Sequence, residues 1–256
     1  VSALGLGTVK LGRNDGVKYP TNFSIPDDKA ATALLDQASE LGINLIDTAP
    51  AYGNSEQRLG PLLRGQRDRW LICSKVGEEF DNGQSRFDFT PEHTAFSVER
   101  SLKRLNTDVI DIVLVHSDGA DLRIIDELGT LSALKDLKRR GLIRAYGMST
   151  KTVQGGLAAI EAGCDVVMLT YNLVEREESA VLDACAKNNA GALIKKAFAS
   201  GHLATSVTDP VQASMDLIFS HRATSAAIIG TISPEHLRSN VTAARKALEW
   251  ETSHRF

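Results

Sequence analysis

The chain has 256 residues, with 29 Lys plus Arg against 32 Asp plus Glu, a net charge of −3. That near-balance offers no electrostatic footprint for nucleic acid or a membrane surface, and no apolar run is long enough for a transmembrane helix. Three cysteines, Cys73, Cys164 and Cys185, do not form a disulfide framework and point to a reducing, cytoplasmic setting. The opening VSALGLGTVKLG lacks a basic segment followed by an apolar stretch, so no secretory leader is expected.

Along the chain, short apolar runs alternate with longer amphipathic stretches. The expected strands are Ala3–Leu6, Leu45–Asp47, Leu71–Lys75, Ile110–His116, Ala145–Ser149, Val166–Thr170, Ala192–Lys195 and Ala226–Ile229. Between them the pattern predicts helices over Asp27–Leu41, Glu56–Leu63, Thr90–Leu105, Glu127–Arg140, Thr152–Ala162, Glu177–Asn188, Val211–Ser220 and Pro234–Trp250. Ala31, Leu34, Leu35, Ala38 and Leu41 fall at helical spacing before Gly42, and Thr-Pro-Glu at Thr90 is a good helix start. The polar segments Leu11–Pro26 and Glu78–Phe89 read as loops near a site mouth.

Strand–helix alternation over the whole length implies parallel pairing, and eight strands imply closure. The expected fold is α/β, a single-domain (β/α)8 TIM barrel over residues 1–256. The competing architecture, an open doubly wound sheet, would carry a Gly-rich phosphate loop after its first strand, and GLGTVKLG lacks that spacing.

In such a barrel, chemistry sits at the C-terminal strand ends. Side chains alternate along a strand, so Leu45 and Asp47 share a face, as do Leu71, Cys73 and Lys75, and Ile112, Leu114 and His116. Each inward face is apolar below and carries one polar group at the top. Tyr52 follows closely, in a loop bounded by Pro50 and Gly53. Asp, Tyr, Lys and His therefore converge. A carbonyl that accepts a hydride also needs a proton on its oxygen. A Tyr beside an ammonium can give one, while an Asp keeps the Lys charged and a His binds the carbonyl oxygen. Each residue alone also has a plain structural use: Asp47 as a cap, Lys75 as a solvated strand end, His116 as a core hydrogen-bonder and Tyr52 as packing. Their ordered convergence favours the chemical reading. Cys73 reads as barrel lining. His93, His202, His221, His236 and His254 show no metal-ligand spacing, so no metal is expected.

The stretches GINLIDTAPAYGNSEQRLG, LICSKVG, SLKRLNTDVIDIVLVHSD, GLIRAYGMST and YNLVERE closely resemble the aldo-keto reductases, and the resemblance runs from Gly5 to about Leu248. It implies a catalytic set of Asp47, Tyr52, Lys75 and His116 and a nicotinamide cofactor, NADP(H) with NAD(H) possible. Cofactor-binding positions carry over to Gly7, Thr8, Asp47, Ser149, Thr150, Met168, Lys195, Lys196, Gly230, Thr231, Ser233, His236 and Asn240. Several depart from the family's habit. Thr150 stands where Asn is frequent, Met168 where Gln is frequent, Lys195 where an aromatic is frequent, and His236 where Arg often meets a 2′-phosphate. The family's C-terminal extension is expected to be brief here. The implied activity is NADP(H)-dependent reduction of small aldehydes or ketones. The alternatives are a weakly active, cofactor-binding regulatory protein on the same fold and a metal-dependent barrel hydrolase. The latter would need more than one strand-end His.

Overall fold

The computed structural model describes residues 1–17, 19–20, 22–201 and 208–254, with side chains as far as residue 250. The elements in chain order are β1 (Leu4–Gly7), α1 (Val9–Gly12), α2 (Asp28–Glu40), β2 (Leu45–Asp47), α3 (Ser55–Leu62), β3 (Leu71–Val76), β4 (Glu78–Asp81), β5 (Gln84–Phe87), α4 (Pro91–Leu105), β6 (Ile110–His116), α5 (Asp121–Asp126), α6 (Thr130–Arg139), β7 (Ile143–Ser149), α7 (Val153–Glu161), β8 (Val166–Thr170), α8 (Ser179–Asn188), β9 (Gly191–Lys195), α9 (Pro210–Ser220), β10 (Thr224–Ile229) and α10 (Pro234–His254).

Eight strands close into a parallel barrel in the order β1, β10, β9, β8, β7, β6, β3, β2. The chain is a (β/α)8 TIM barrel. Its sequence reasons are local. Asp27 caps α2 by accepting from Ala30 N, Thr90 caps α4 at His93 N, and Thr152 caps α7 at Gly155 N. The buried stripe of α2, Ala31, Leu34, Leu35 and Ala38, packs onto the strands from outside.

Two expectations need correction. The helix expected over Glu127–Arg140 is α6, and it begins only at Thr130, after Gly129 with its left-handed φ of 76°; the short α5 before it was not among the expected helices. Glu78–Phe89 is not an irregular loop but an antiparallel hairpin, β4 on β5, turned at Asn82 (φ 50°) and Gly83 (φ 79°). Asn-Gly is a strong two-residue hairpin signal, because both central residues of that turn need positive φ. Of the segment read as the Leu11–Pro26 loop, the first two residues belong to α1, and residues 18 and 21 lie outside the described set.

The barrel has two apolar layers, one between strands and helices and one inside. The inner layer contains Leu45, Cys73, Leu114, Val166, Met168, Leu193 and Ala226. These are the positions that strand alternation assigns inward, so Asp47, Lys75, His116, Ser149 and Lys195 follow them at the top on the same faces. Register raises them together: His116 lies level with Ser149, and Thr170 with Lys195.

The interior is crowded enough that a methyl group matters. A Cβ on Gly147 would stand 1.7 Å from the Val166 carbonyl oxygen and 3.2 Å from Leu114 Cδ2. Gly147→Ala is therefore expected to cost at least about 1–3 kcal/mol, with the melting temperature falling by about 2–4 °C per kcal/mol. Calorimetry of the two proteins checks this, and an unchanged melting temperature would contradict the packing described.

Candidate active site

The site begins with a buried ion pair. Lys75 Nζ lies 2.5 Å from Asp47 Oδ1 and donates to the Thr48 carbonyl oxygen at 2.9 Å. Both side chains are almost fully buried, at 2% and 4% exposure. Asp47 is fixed through its own backbone: its carbonyl accepts from Thr8 N and from Thr8 Oγ1, each at 2.9 Å. Burial is the largest influence on Lys75 and opposes its charge, but Asp47 and then Tyr52 outweigh it and hold the ammonium above its ordinary range.

Tyr52 reaches this pair from the turn after β2. Its hydroxyl donates to Asp47 Oδ2 at a long 3.4 Å, and Lys75 Nζ stands 4.7 Å from the ring centroid. The turn is clamped by two facing glycines. A Cβ on Gly12 would lie 2.4 Å from the Tyr52 carbonyl oxygen, and one on Gly53 (φ 64°) 2.1 Å from the Gly12 carbonyl oxygen. Burial first, then the Asp47 carboxylate, pushes the Tyr52 phenol above its ordinary range. Lys75 pulls the other way without prevailing, so the phenol keeps its proton at neutral pH. The sequence argument credited Lys75 with easing that proton's release; in the folded site burial and Asp47 count for more.

His116 completes the group. Its ring meets that of Tyr52 edge to face at a centroid distance of 6.3 Å. Its Nδ1 lies 2.7 Å from Glu78 Oε2 at the start of the hairpin. The approach is close but too bent for a good hydrogen bond, and Nδ1 is otherwise buried without a partner. Burial is the main influence lowering the His116 pKa, with Glu78 opposing it. Glu78 itself is held at about 2: its own burial pushes upward, but His116, Ser85 and Arg13 outweigh that.

These four side chains line a cavity of about 900 Å³. Gly7, Ser149, Thr150, Met168, Lys195, Lys196, Gly230, Thr231, His236 and Asn240 line it too, the last two from the first turns of α10. Two of the sequence-predicted positions do not line it. Thr8 is fully buried and ties Asp47 to Ser55, whose hydroxyl donates to Thr8 Oγ1 at 2.8 Å. Ser233 serves α10, accepting from His236 N at 3.2 Å.

Lys195 is the least expected occupant. Its Nζ donates to Ser149 Oγ at 3.0 Å and to the Thr150 carbonyl oxygen at 2.5 Å. Burial pulls this ammonium down to about 8, against the carboxylate of Glu178. Lys196 turns away to Glu175, 3.4 Å from its Oε1. Sequence reasoning missed Glu78, Lys10, Tyr19, Glu175 and Glu178, which line or border the cavity. Glu78 had a signal, since it follows Lys75 by three residues and opens the segment assigned to the mouth. Cys73 is fully buried beneath Lys75, and burial pushes its thiol far up, which suits lining. No group of three or more metal-binding side chains occurs among the described residues; His202 and the side chain of His254 lie outside them.

The sequence model of the aldo/keto reductase family matches residues 3–217. The chain belongs to the aldo-keto reductase family. It is similar to the aldo-keto reductase YhdN of Bacillus subtilis, 33% identical over 81% of this chain and 62% of YhdN. It therefore spans less than two thirds of that relative's length. It is also similar to an NADH-specific methylglyoxal reductase of Escherichia coli, 28% identical over 81% of this chain and 67% of that one. Among solved structures, PA4992 of Pseudomonas aeruginosa, a proposed aldo-keto reductase, is 56% identical and superposes with a TM-score of 0.88 over 97% of this chain and 92% of PA4992.

The ion pair makes a sharp stability prediction. Lys75→Met leaves the Asp47 carboxylate buried without its partner, which typically costs about 3–5 kcal/mol. Urea denaturation at neutral pH should show a loss of this size, and a loss within experimental error would mean that the pair is not what holds Asp47.

Proposed function

We propose that this aldo-keto reductase reduces aldehydes or ketones to alcohols, binding NADPH in preference to NADH and using Tyr52 as the proton donor, with residues 1–256 working as one barrel domain. The observation that carries the reading is the buried Asp47–Lys75 pair set against Tyr52 and His116 in one cavity of about 900 Å³.

The cavity fits a dinucleotide on two grounds. Its volume of about 900 Å³ is that of a large ligand site, and Thr150, one of its lining residues, has a buried Oγ1 with no partner of its own. Ser149, Thr150 and Met168 would hold the nicotinamide end, and Gly230, Thr231, His236 and Asn240 the adenosine-phosphate end, where the N-terminus of α10 favours an anion. Ser233 would act there through α10, whose first turn it caps. Lys195 and Lys196 supply positive charge between the two ends. When bound, the cofactor supplies the hydride.

The protein's own part is binding, orientation and the proton. Tyr52 keeps its phenolic proton at neutral pH and would give it to the carbonyl oxygen as negative charge gathers there. Lys75 stands beside the ring and stabilises the phenolate left behind, while Asp47 keeps Lys75 charged and in place. His116 would position the carbonyl oxygen. The buried free thiols of Cys73, Cys164 and Cys185 support a reducing, cytoplasmic setting. A small-molecule carbonyl substrate suits the cavity's size.

Two measurements test this reading. Tyr52→Phe should cut carbonyl reduction by about 10²–10⁴-fold while fluorescence titration shows cofactor still binding; reduction at the unaltered rate would remove Tyr52 from its role. His236→Arg should raise the ratio of NADPH to NADH affinity about tenfold, since a guanidinium makes paired, charge-assisted bonds to a phosphate. An unchanged ratio would place the 2′-phosphate elsewhere; one relative of the chain is named NADH-specific.

A further inference from the structure

The hairpin β4–β5 carries a carboxylate to the one nitrogen of His116 that does not face the cavity. Glu78 Oε2 lies 2.7 Å from Nδ1, and Glu78 Oε1 accepts from Ser85 Oγ on the facing strand at 2.6 Å. The carboxylate is thus held from both sides and is only 13% exposed. An ionised oxygen cannot sit this close to a bare ring nitrogen, because two lone pairs would face each other. Nδ1 must therefore carry a proton, bent though the contact is. Nδ1 is buried, so Nε2 is the nitrogen left to the cavity that His116 lines.

We propose that Glu78 is a positioning residue that pins the His116 proton on Nδ1, so that Nε2 works as a donor to a carbonyl oxygen only while the ring is an imidazolium and as an acceptor from an alcohol hydroxyl once it is neutral. This rests on reading the site as a carbonyl reductase. It gives one histidine opposite uses in the two directions of one reaction, selected by pH. A neutral ring with its proton free to sit on Nε2 would donate at any pH and show no such selection.

The charges around His116 fix the sign. Glu78 on β4 favours the imidazolium. Lys75 on β3 and Lys195 on β9 disfavour it, although Asp47 balances Lys75 at 2.5 Å and Glu178 faces Lys195. Tyr52 presents its ring rather than a charge. Glu78 is itself faced by Arg13 and Ser85. Reduction is then strongest at low pH and is lost as pH rises through the titration of the His116–Glu78 pair. Removing the Glu78 charge moves that loss to lower pH.

The test measures kcat/KM for carbonyl reduction from pH 4 to 9 in the unaltered protein, in Glu78→Gln and in Ser85→Ala, together with the ¹⁵N shifts of the His116 ring in the protein without cofactor. In Glu78→Gln the alkaline loss of reduction should move down by about one pH unit or more; Ser85→Ala should move it the same way by less. In the unaltered protein Nδ1 should stay protonated throughout while Nε2 titrates, and Glu78→Gln should populate the other tautomer. Superimposable pH profiles with an unchanged tautomer would overturn the role of Glu78. Absence of any carbonyl reduction in the unaltered protein would instead overturn the functional reading, and the ring shifts would still decide whether Glu78 pins Nδ1.

Discussion

The Asp47–Lys75 ion pair is the constraint around which the barrel mouth is arranged. Two opposite charges are sealed from water on neighbouring strands, and neither could stay there alone. Its parts come from different levels of the structure. Strand alternation turns both side chains inward, parallel pairing sets β2 beside β3, and Thr8 fixes the backbone of Asp47 from β1's side. The pair spends most of its electrostatic attraction on offsetting its own desolvation. What it yields is placement: a fixed ammonium beside the Tyr52 ring, in a site dry enough for that ammonium to matter.

The same burial explains why this mouth holds so many perturbed groups. Tyr52 and Cys73 are pushed up, Lys195 and His116 down, and Lys75 is held up chiefly by Asp47. Burial is the largest influence on every one of these groups, which ties their shifts to the dryness of the barrel mouth. Lys195 differs from the others. It lies on Ser149 and the Thr150 carbonyl, so a positive charge is built into the wall where the resemblance places the nicotinamide. Lys75 and Lys195 therefore bring two ammonium groups to His116, and Glu78 is the carboxylate that favours the imidazolium against them.

Much of this was legible in the sequence because period-two alternation and strand order are local and strict. Ile110–His116 and Val166–Thr170 are strands with the expected bounds, and the inward positions inferred from spacing are those of the inner core. The four polar side chains at the mouth could be placed without coordinates for the same reason. What escaped was contact between segments distant in sequence or lacking a clear period. Glu78 was absorbed into a supposed loop because the hairpin's strands are only four residues each, and the Asn82-Gly83 turn was passed over. Thr8 and Ser233 occupied motif positions, but only packing shows that one ties strands together and the other caps a helix. The short α5, Asp121–Asp126, escaped because six residues carry too little of a helical period.

The central claim is that this buried ion pair serves carbonyl reduction rather than cofactor storage. The most direct measurement is a product balance, in which alcohol formed is quantified by NMR against reduced nicotinamide cofactor consumed over a panel of aldehydes, ketones and quinones. The account predicts one alcohol for each cofactor oxidised with at least one class of carbonyl. Tight cofactor binding with no alcohol formed from any member of the panel would contradict it.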